Sequence, residues 1–221
     1  MSKIYYLVLT IHMKKGILII ALLGLTLFIG VNARKRFVTP PAIHSGDLIF
    51  QTSQSAQSKA IRLATKSRYS HCGIVYKEGD NFYVFEAVQP VKRTPLDQWI
   101  ARGKGGHYVI KRLKNADKVL TPDALKKMQQ VGKTFTGKNY DLTFEWSDDR
   151  MYCSELIWKV YQRATGIEIG KLEKLSDFDL TSDVVKAKMK ERYGNNIPKD
   201  EVVISPKAIF ESELLATIID K

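Results

Sequence analysis

Only two cysteines, Cys72 and Cys153, occur among the 221 residues, which excludes a disulfide-dense secreted scaffold. The C-x2-C and H-x3-H spacings of structural zinc sites are missing, so the sequence offers no metal centre and implies no cofactor. There is no internal repeat, and no low-complexity tract follows the first thirty-odd residues. Solenoids and long disordered tails are therefore excluded. Acidic residues are absent from positions 1–33 altogether. What is present is ordinary for a globular chain: 44% hydrophobic and 26% charged residues, in a length that suits one domain with appendages.

The appendage is N-terminal. Lys14 and Lys15 precede an uncharged apolar run, Gly16 to Val31, and Val31-Asn32-Ala33 puts small or medium residues where a signal peptidase reads. Met13 is a natural start for this unit, which leaves twelve residues before it. Two readings stand for residues 1–33, a cleaved secretory signal or a retained single membrane anchor. No cysteine lies near the exit site, so a lipid-anchored form is not expected. Both readings put the rest of the chain outside the cytoplasm, in the periplasm or cell envelope. A basic, proline-containing linker occupies residues 34–45, and the folded domain is expected over 46–221.

Net charge is +12, and removing Lys3, Lys14 and Lys15 with the first 33 residues leaves +9. Such an excess suits an anionic membrane surface or cell-wall polymer as well as nucleic acid. Export argues against nucleic acid. So does the scatter of the basic residues, with Lys111, Arg112 and Lys114 in one place and Lys186, Lys188 and Lys190 in another.

Apolar spacing and turn chemistry give the elements. Gly46 to Phe50 reads as a short strand and Ser53 to Lys66 as a small helix. His71 to Tyr76 and Phe82 to Val88 read as a hairpin around Lys77-Glu78-Gly79-Asp80, with a further strand at His107 to Leu113. Thr121-Pro122-Asp123 is a capped start with proline at the first helical position, for a helix ending before Gly137. A second helix opens at Cys153, buries Leu156, Ile157, Val160, Tyr161 and Ala164, and ends at Gly166. A third runs from Thr181 or Ser182 to Gly194, and Glu201 to Ile204 is a late strand. Strands and helices do not alternate regularly, so the class is α+β on an antiparallel sheet.

The chemistry converges on two of these elements. Cys153 sits in the first turn of its helix, where free amides and the helix dipole stabilise a thiolate and can donate to an oxyanion. In the hairpin, alternation puts His71 on one face with Gly73 and Val75, and Cys72 on the other with Ile74 and Tyr76. A four-residue turn would pair Tyr76 with Asn81 and set His71 directly opposite Glu86. A carboxylate so placed fixes the imidazole tautomer and stabilises its charged form. This register turns Cys72 away from His71 and hence from a Cys153 that meets His71. The competing reading is one Cys72–Cys153 disulfide, the default for two cysteines in an oxidising compartment.

Gly46-Asp47-Leu48-Ile49-Phe50, Tyr69-Ser70-His71-Cys72-Gly73-Ile74-Val75, Phe85-Glu86-Ala87 and Tyr152-Cys153-Ser154-Glu155-Leu156, in this order, resemble the YaeF/YiiX-like permuted papain-like enzymes of the NlpC-type superfamily. The similarity extends from Gly46 to Pro206 and includes Gly137-Lys138-Asn139-Tyr140-Asp141 and Trp146-Ser147-Asp148-Asp149-Arg150. Histidine before cysteine reverses papain's order and marks the permuted branch. The resemblance implies an antiparallel sheet or half-barrel packed against helices. It implies Cys153 as nucleophile, His71 as base and Glu86 as the group orienting His71. Tyr140, Asp141 and Ser154 are the expected substrate-binding residues. Cys72 departs from the pattern, where a plain apolar or small residue is expected.

Three functions follow as expectations. The first is an exported thiol hydrolase, an amidase or peptidase acting on an envelope amide or peptide. The second is a lipid acyltransferase or (thio)esterase with the same Cys/His pair, as in relatives similar to lecithin retinol acyltransferase. The third is a non-enzymatic envelope binding module. An apolar groove beside Cys153 would favour a lipid, and a narrow polar cleft a peptide.

Overall fold

The computed structural model describes residues 43–221, so the apolar N-terminal segment and most of the linker lie outside the described residues. Its strands are β1 (Leu48–Ser53), β2 (His71–Glu78), β3 (Asn81–Glu86), β4 (Lys92–Pro95), β5 (Gly103–Leu113), β6 (Glu173–Lys174), β7 (Val202–Val203) and β8 (Leu215–Asp220). Six of them form one antiparallel sheet in the order β4-β3-β2-β1-β5-β8, and β6 pairs with β7 separately. The helices are α1 (Ser58–Thr65), α2 (Leu96–Ala101), α3 (Ala116–Val119), α4 (Pro122–Phe135), α5 (Cys153–Thr165), α6 (Asp183–Tyr193) and α7 (Pro206–Phe210). The result is an α+β half-barrel, an open antiparallel sheet with helices against it.

Both faces of the central strands are covered, which is why they read as unbroken apolar runs. Leu48 and Phe50 of β1 face α4 and α5 with Cys72, Ile74, Tyr76, Phe85, Met128, Phe135, Leu156 and Ile157. Ile49 faces the other way, with Val75, Val84, Trp99 and Ile110. A fully buried side chain of this size contributes about 1.5–3 kcal/mol relative to exposure, so α5 is anchored chiefly by Leu156, Ile157 and Val160, all fully buried.

Local signals set the helix ends. Thr121 Oγ1 accepts from the Ala124 amide at 3.2 Å and Pro122 opens α4. Gly166, at φ +75°, closes α5. A buried ion pair locks α5 internally: Lys159 Nζ lies 2.7 Å from Glu155 Oε1 and 3.0 Å from Asp148 Oδ1. Burial still holds the Glu155 carboxyl up at about 7.

The hairpin differs from its expected register. Glu78 pairs with Asn81 and Ile74 with Phe85, so the turn has two residues, not four. Gly79 at φ +58° supplies the left-handed backbone that a two-residue turn needs at its first position. The slip is two residues, one full period of the pleat, so every side chain keeps its face. Gly73 rather than His71 is thereby brought opposite Glu86. A Cβ at Gly73 would meet Val84 Cγ1 at 2.4 Å and the Phe85 carbonyl oxygen at 2.9 Å. Only glycine lets β3 approach so closely there.

Several segments carried no expectation, β4, α3, β6 and α7 among them. Residues 96–101 form α2, and 215–220 add edge strand β8 to β5. The 53–66 helix begins late, at Ser58, and β5 begins early, at Gly103.

Candidate active site

His71 is the first residue of β2 and Glu86 the last of β3, on the shared face. His71 Nε2 lies 2.6 Å from Glu86 Oε2. Glu86 is fully buried and accepts from three further donors: Trp99 Nε1 to Oε2 at 2.9 Å, Thr94 Oγ1 to Oε1 at 2.6 Å, and Arg102 Nη2 to Oε1. Burial alone would raise this carboxyl. The hydrogen bond and charge of His71, with Thr94 and Arg102, outweigh it and bring the pKa down to about 2. Trp99 also stacks on the imidazole, ring centres 5.8 Å apart at 24°. The ring is thus held from one side by a carboxylate and from its flat face by an indole. Thr94, Trp99 and Arg102 were not anticipated from sequence.

Nε2 is committed to Glu86, which leaves Nδ1 for Cys153, the group that acts most strongly on the imidazole after burial. Burial opposes charge on the imidazole, but Cys153 and Glu86 together raise its pKa to about 9. Cys153 is the first residue of α5, after Tyr152 in extended conformation, and is almost fully buried. The neighbouring Cys72 thiol is the largest influence on it and favours the thiolate. Burial opposes ionisation, and the His71 hydrogen bond and charge and the Cys72 amide favour it. The balance holds Cys153 well below an ordinary thiol. Cys72 moves the opposite way, raised by its own burial and by its donation to Cys153. The two shifts, His71 upward and Cys153 downward, are in the directions that favour an imidazolium facing a thiolate.

Cys72 is where expectation fails. It does face away from His71 across the strand, but it does not face away from Cys153. Its side chain projects towards the helices with Ile74 and Tyr76, and Cys153 lies in the same buried cluster. The two faces of a strand reach one atom only near the strand's end, and His71 opens β2. Both cysteines are free thiols, so the disulfide reading is not what the structure contains.

Cys153 lines a half-open cleft between α1, α5 and α6. Its walls are overwhelmingly apolar, with Ile61, Phe144, Leu180, Val185 and Met189 prominent. Of the expected substrate-binding residues, Tyr140 and Ser154 line it, and Asp141 is not among its lining residues. Tyr140 Oη accepts from Gln57 Nε2 at 2.8 Å. The Ser154 hydroxyl donates to the Ile204 carbonyl at 2.7 Å, tying α5 to the segment before α7. Asp141 is fully buried, and its Oδ1 accepts from the Thr143 amide and hydroxyl, both at 2.8 Å. It organises the loop between Tyr140 and Met151. Among the described residues, no three His, Cys, Asp or Glu side chains are arranged to hold a metal ion. None of the described helices is long and apolar enough to cross a membrane.

The chain is similar to known proteins along most of its length. The chain is 50% identical over 197 residues to the uncharacterized protein YiiX of Escherichia coli strain K12, covering 89% of this chain and 94% of that one. A crystal structure described as metalloprotein YiiX from Escherichia coli O157:H7 matches with a TM-score of 0.77 and 51% identity, over 80% of this chain and 97% of that one. Residues 42–219 match the family described as permuted papain-like amidase enzyme, YaeF/YiiX, C92 family. With histidine on β2 preceding cysteine on α5, and the match spanning all but the last two described residues, the chain belongs to the YaeF/YiiX family of permuted papain-like amidases.

Proposed function

We propose that this chain is a thiol hydrolase working through Cys153, His71 and Glu86. The observation that carries the reading is Cys153 at the head of α5, acted on by an imidazole whose Nε2 is fixed by a buried carboxylate. The thiolate attacks the substrate carbonyl carbon, and its sulfur forms the new bond as the carbonyl pair moves onto oxygen. His71 gives its proton to the departing amine or alkoxide, leaving an acyl-enzyme and a neutral imidazole. His71 then takes a proton from water, whose oxygen attacks the thioester. Collapse releases the acid and restores the thiolate and imidazolium. Glu86 holds one imidazole orientation throughout and stabilises its charged form.

The family's chemistry points to an amide bond, and the cleft speaks to what is attached to the carbonyl. An almost wholly apolar slot beside the nucleophile favours an alkyl or other apolar acyl group over a polar peptide segment. A substrate whose acyl portion is lipid-like is therefore the second reading, for amide and ester alike. The segment Gly16 to Val31, after Lys14 and Lys15, supports action outside the cytoplasm on a cell-envelope substrate. N-terminal sequencing after expression in a secreting host should find a chain beginning near Arg34, while intact membrane-extracted chain indicates the anchor.

The activity test is a panel of amides, esters and thioesters with acetyl to dodecanoyl groups, on wild type and Cys153→Ala. Turnover that rises with chain length and vanishes in Cys153→Ala supports both readings. Turnover independent of chain length removes the lipid-like acyl group, and turnover persisting in Cys153→Ala removes the nucleophile.

A further inference from the structure

Three of the polar side chains in the mainly apolar cleft wall are linked to one another: Gln57 before α1, Tyr140 on the loop after α4, and Arg192 on α6. Arg192 Nη2 donates to Gln57 Oε1 at 2.5 Å, and Gln57 Nε2 donates to Tyr140 Oη at 2.8 Å. The direction of this chain is fixed by chemistry. A guanidinium has no acceptor, so it must face the carbonyl oxygen of the Gln57 amide. The NH2 end of that amide must then face the phenol, and Tyr140 can only accept from it. The phenol's own proton is left for the cleft. Arg192 is itself held over the Phe144 ring, 4.8 Å from its centre, so the first donor in the chain has little freedom.

We infer that Gln57 and Arg192 are positioning residues that aim the Tyr140 hydroxyl proton at the oxyanion formed when Cys153 attacks a carbonyl. The inference rests on the reading of Cys153 as nucleophile and adds residues that no motif marks. Tyr140 becomes the catalytic donor, with Gln57 and Arg192 setting its direction from segments 135 residues apart. Burial, and next the neighbouring Cys153 charge, keep the phenol protonated well above its ordinary range, as a donor requires.

Gln57→Glu is the sharp test, because shape is kept while the hydrogen bond reverses. The new carboxylate still pairs with Arg192, but it offers Tyr140 an acceptor, and the phenol turns its proton away from the cleft. With p-nitrophenyl butyrate as probe, kcat is expected to fall about 100-fold, the loss typical of removing one oxyanion donor, with KM little changed. Tyr140→Phe should lose as much, and Gln57→Glu should add nothing in the Tyr140→Phe background. Alkylation of Cys153 by iodoacetamide, a displacement that forms no oxyanion, should keep its plateau rate in all three variants. That retained rate also shows that the variants are folded around a competent thiolate. Wild-type kcat in Gln57→Glu, losses that multiply in the double variant, or alkylation falling in step with kcat would each overturn the inference. If wild type is alkylated at Cys153 but never acylated by the ester, the inference also falls. If Cys153 resists alkylation even in wild type, it is the nucleophile reading that has failed first.

Discussion

Replacing Glu86 with glutamine tests how the buried carboxylate supports both fold and site. The carboxylate offers two oxygens to four donors, from His71, Trp99, Thr94 and Arg102. An amide has one oxygen, and its NH2 would confront at least two of those donors whichever way it is turned. Linkage gives the size of the effect. A carboxyl at about 2 in the folded chain, against 4.5 unfolded, stabilises the folded state by about 3 kcal/mol at pH 6. The folded pKa is the lower one, so this contribution is present above pH 4.5 and is lost as pH falls towards 2. At pH 3 about 1.4 kcal/mol remains. Urea denaturation of wild type and Glu86→Gln at both pH values measures the difference. A gap of about 3 kcal/mol at pH 6 that roughly halves by pH 3 is expected. A gap below about 1 kcal/mol, or one that does not change with pH, would refute the reasoning, because Glu86 would then not be the charged hub of the site.

Gly73→Ala should destabilise by about 1–3 kcal/mol through overpacking, because its Cβ meets Val84 and the Phe85 carbonyl. It should also slow Cys153 alkylation by pushing β3, and Glu86 with it, away from His71. Lys159→Met should destabilise the chain in denaturant titrations by an amount that grows as pH rises past 7, because Lys159 is what lowers the Glu155 carboxyl against burial, and without it Glu155 must take up a proton to stay buried. Cys72→Val should keep the fold but move the pH profile of Cys153 alkylation upward, since the neighbouring thiol that favours the thiolate is gone. An unchanged profile there would show that Cys72 only fills space.

What could be read in advance was what is local. Thr121-Pro122, Gly166 and the stripe from Leu156 to Ala164 set their helices from a few neighbouring residues, and the structure follows them. The face shared by His71 and Glu86 was also legible, although the turn length was misjudged, because a two-residue slip leaves strand parity intact. Trp99, Thr94 and Arg102 were not legible. They lie between residues 92 and 102, which carry no clear periodicity, and they meet Glu86 only after β4 and α2 fold back over β3. Cys72 was misjudged for a related reason. Alternation tells which face a side chain takes, but not that a helix start sits where both faces can reach it. Gln57 and Arg192 are further still from legibility, since their meaning depends on one amide held between two long-range partners.

The central claim is that Cys153 carries the acyl group, and peptide mass mapping tests it directly. Wild type is mixed with excess p-nitrophenyl butyrate, quenched with acid within the first turnovers and digested. The account predicts one added butyryl group on the peptide containing Cys153, no label on Cys72, and neither adduct nor turnover in Cys153→Ala. A butyryl group on another residue, or undiminished turnover in Cys153→Ala, would contradict it.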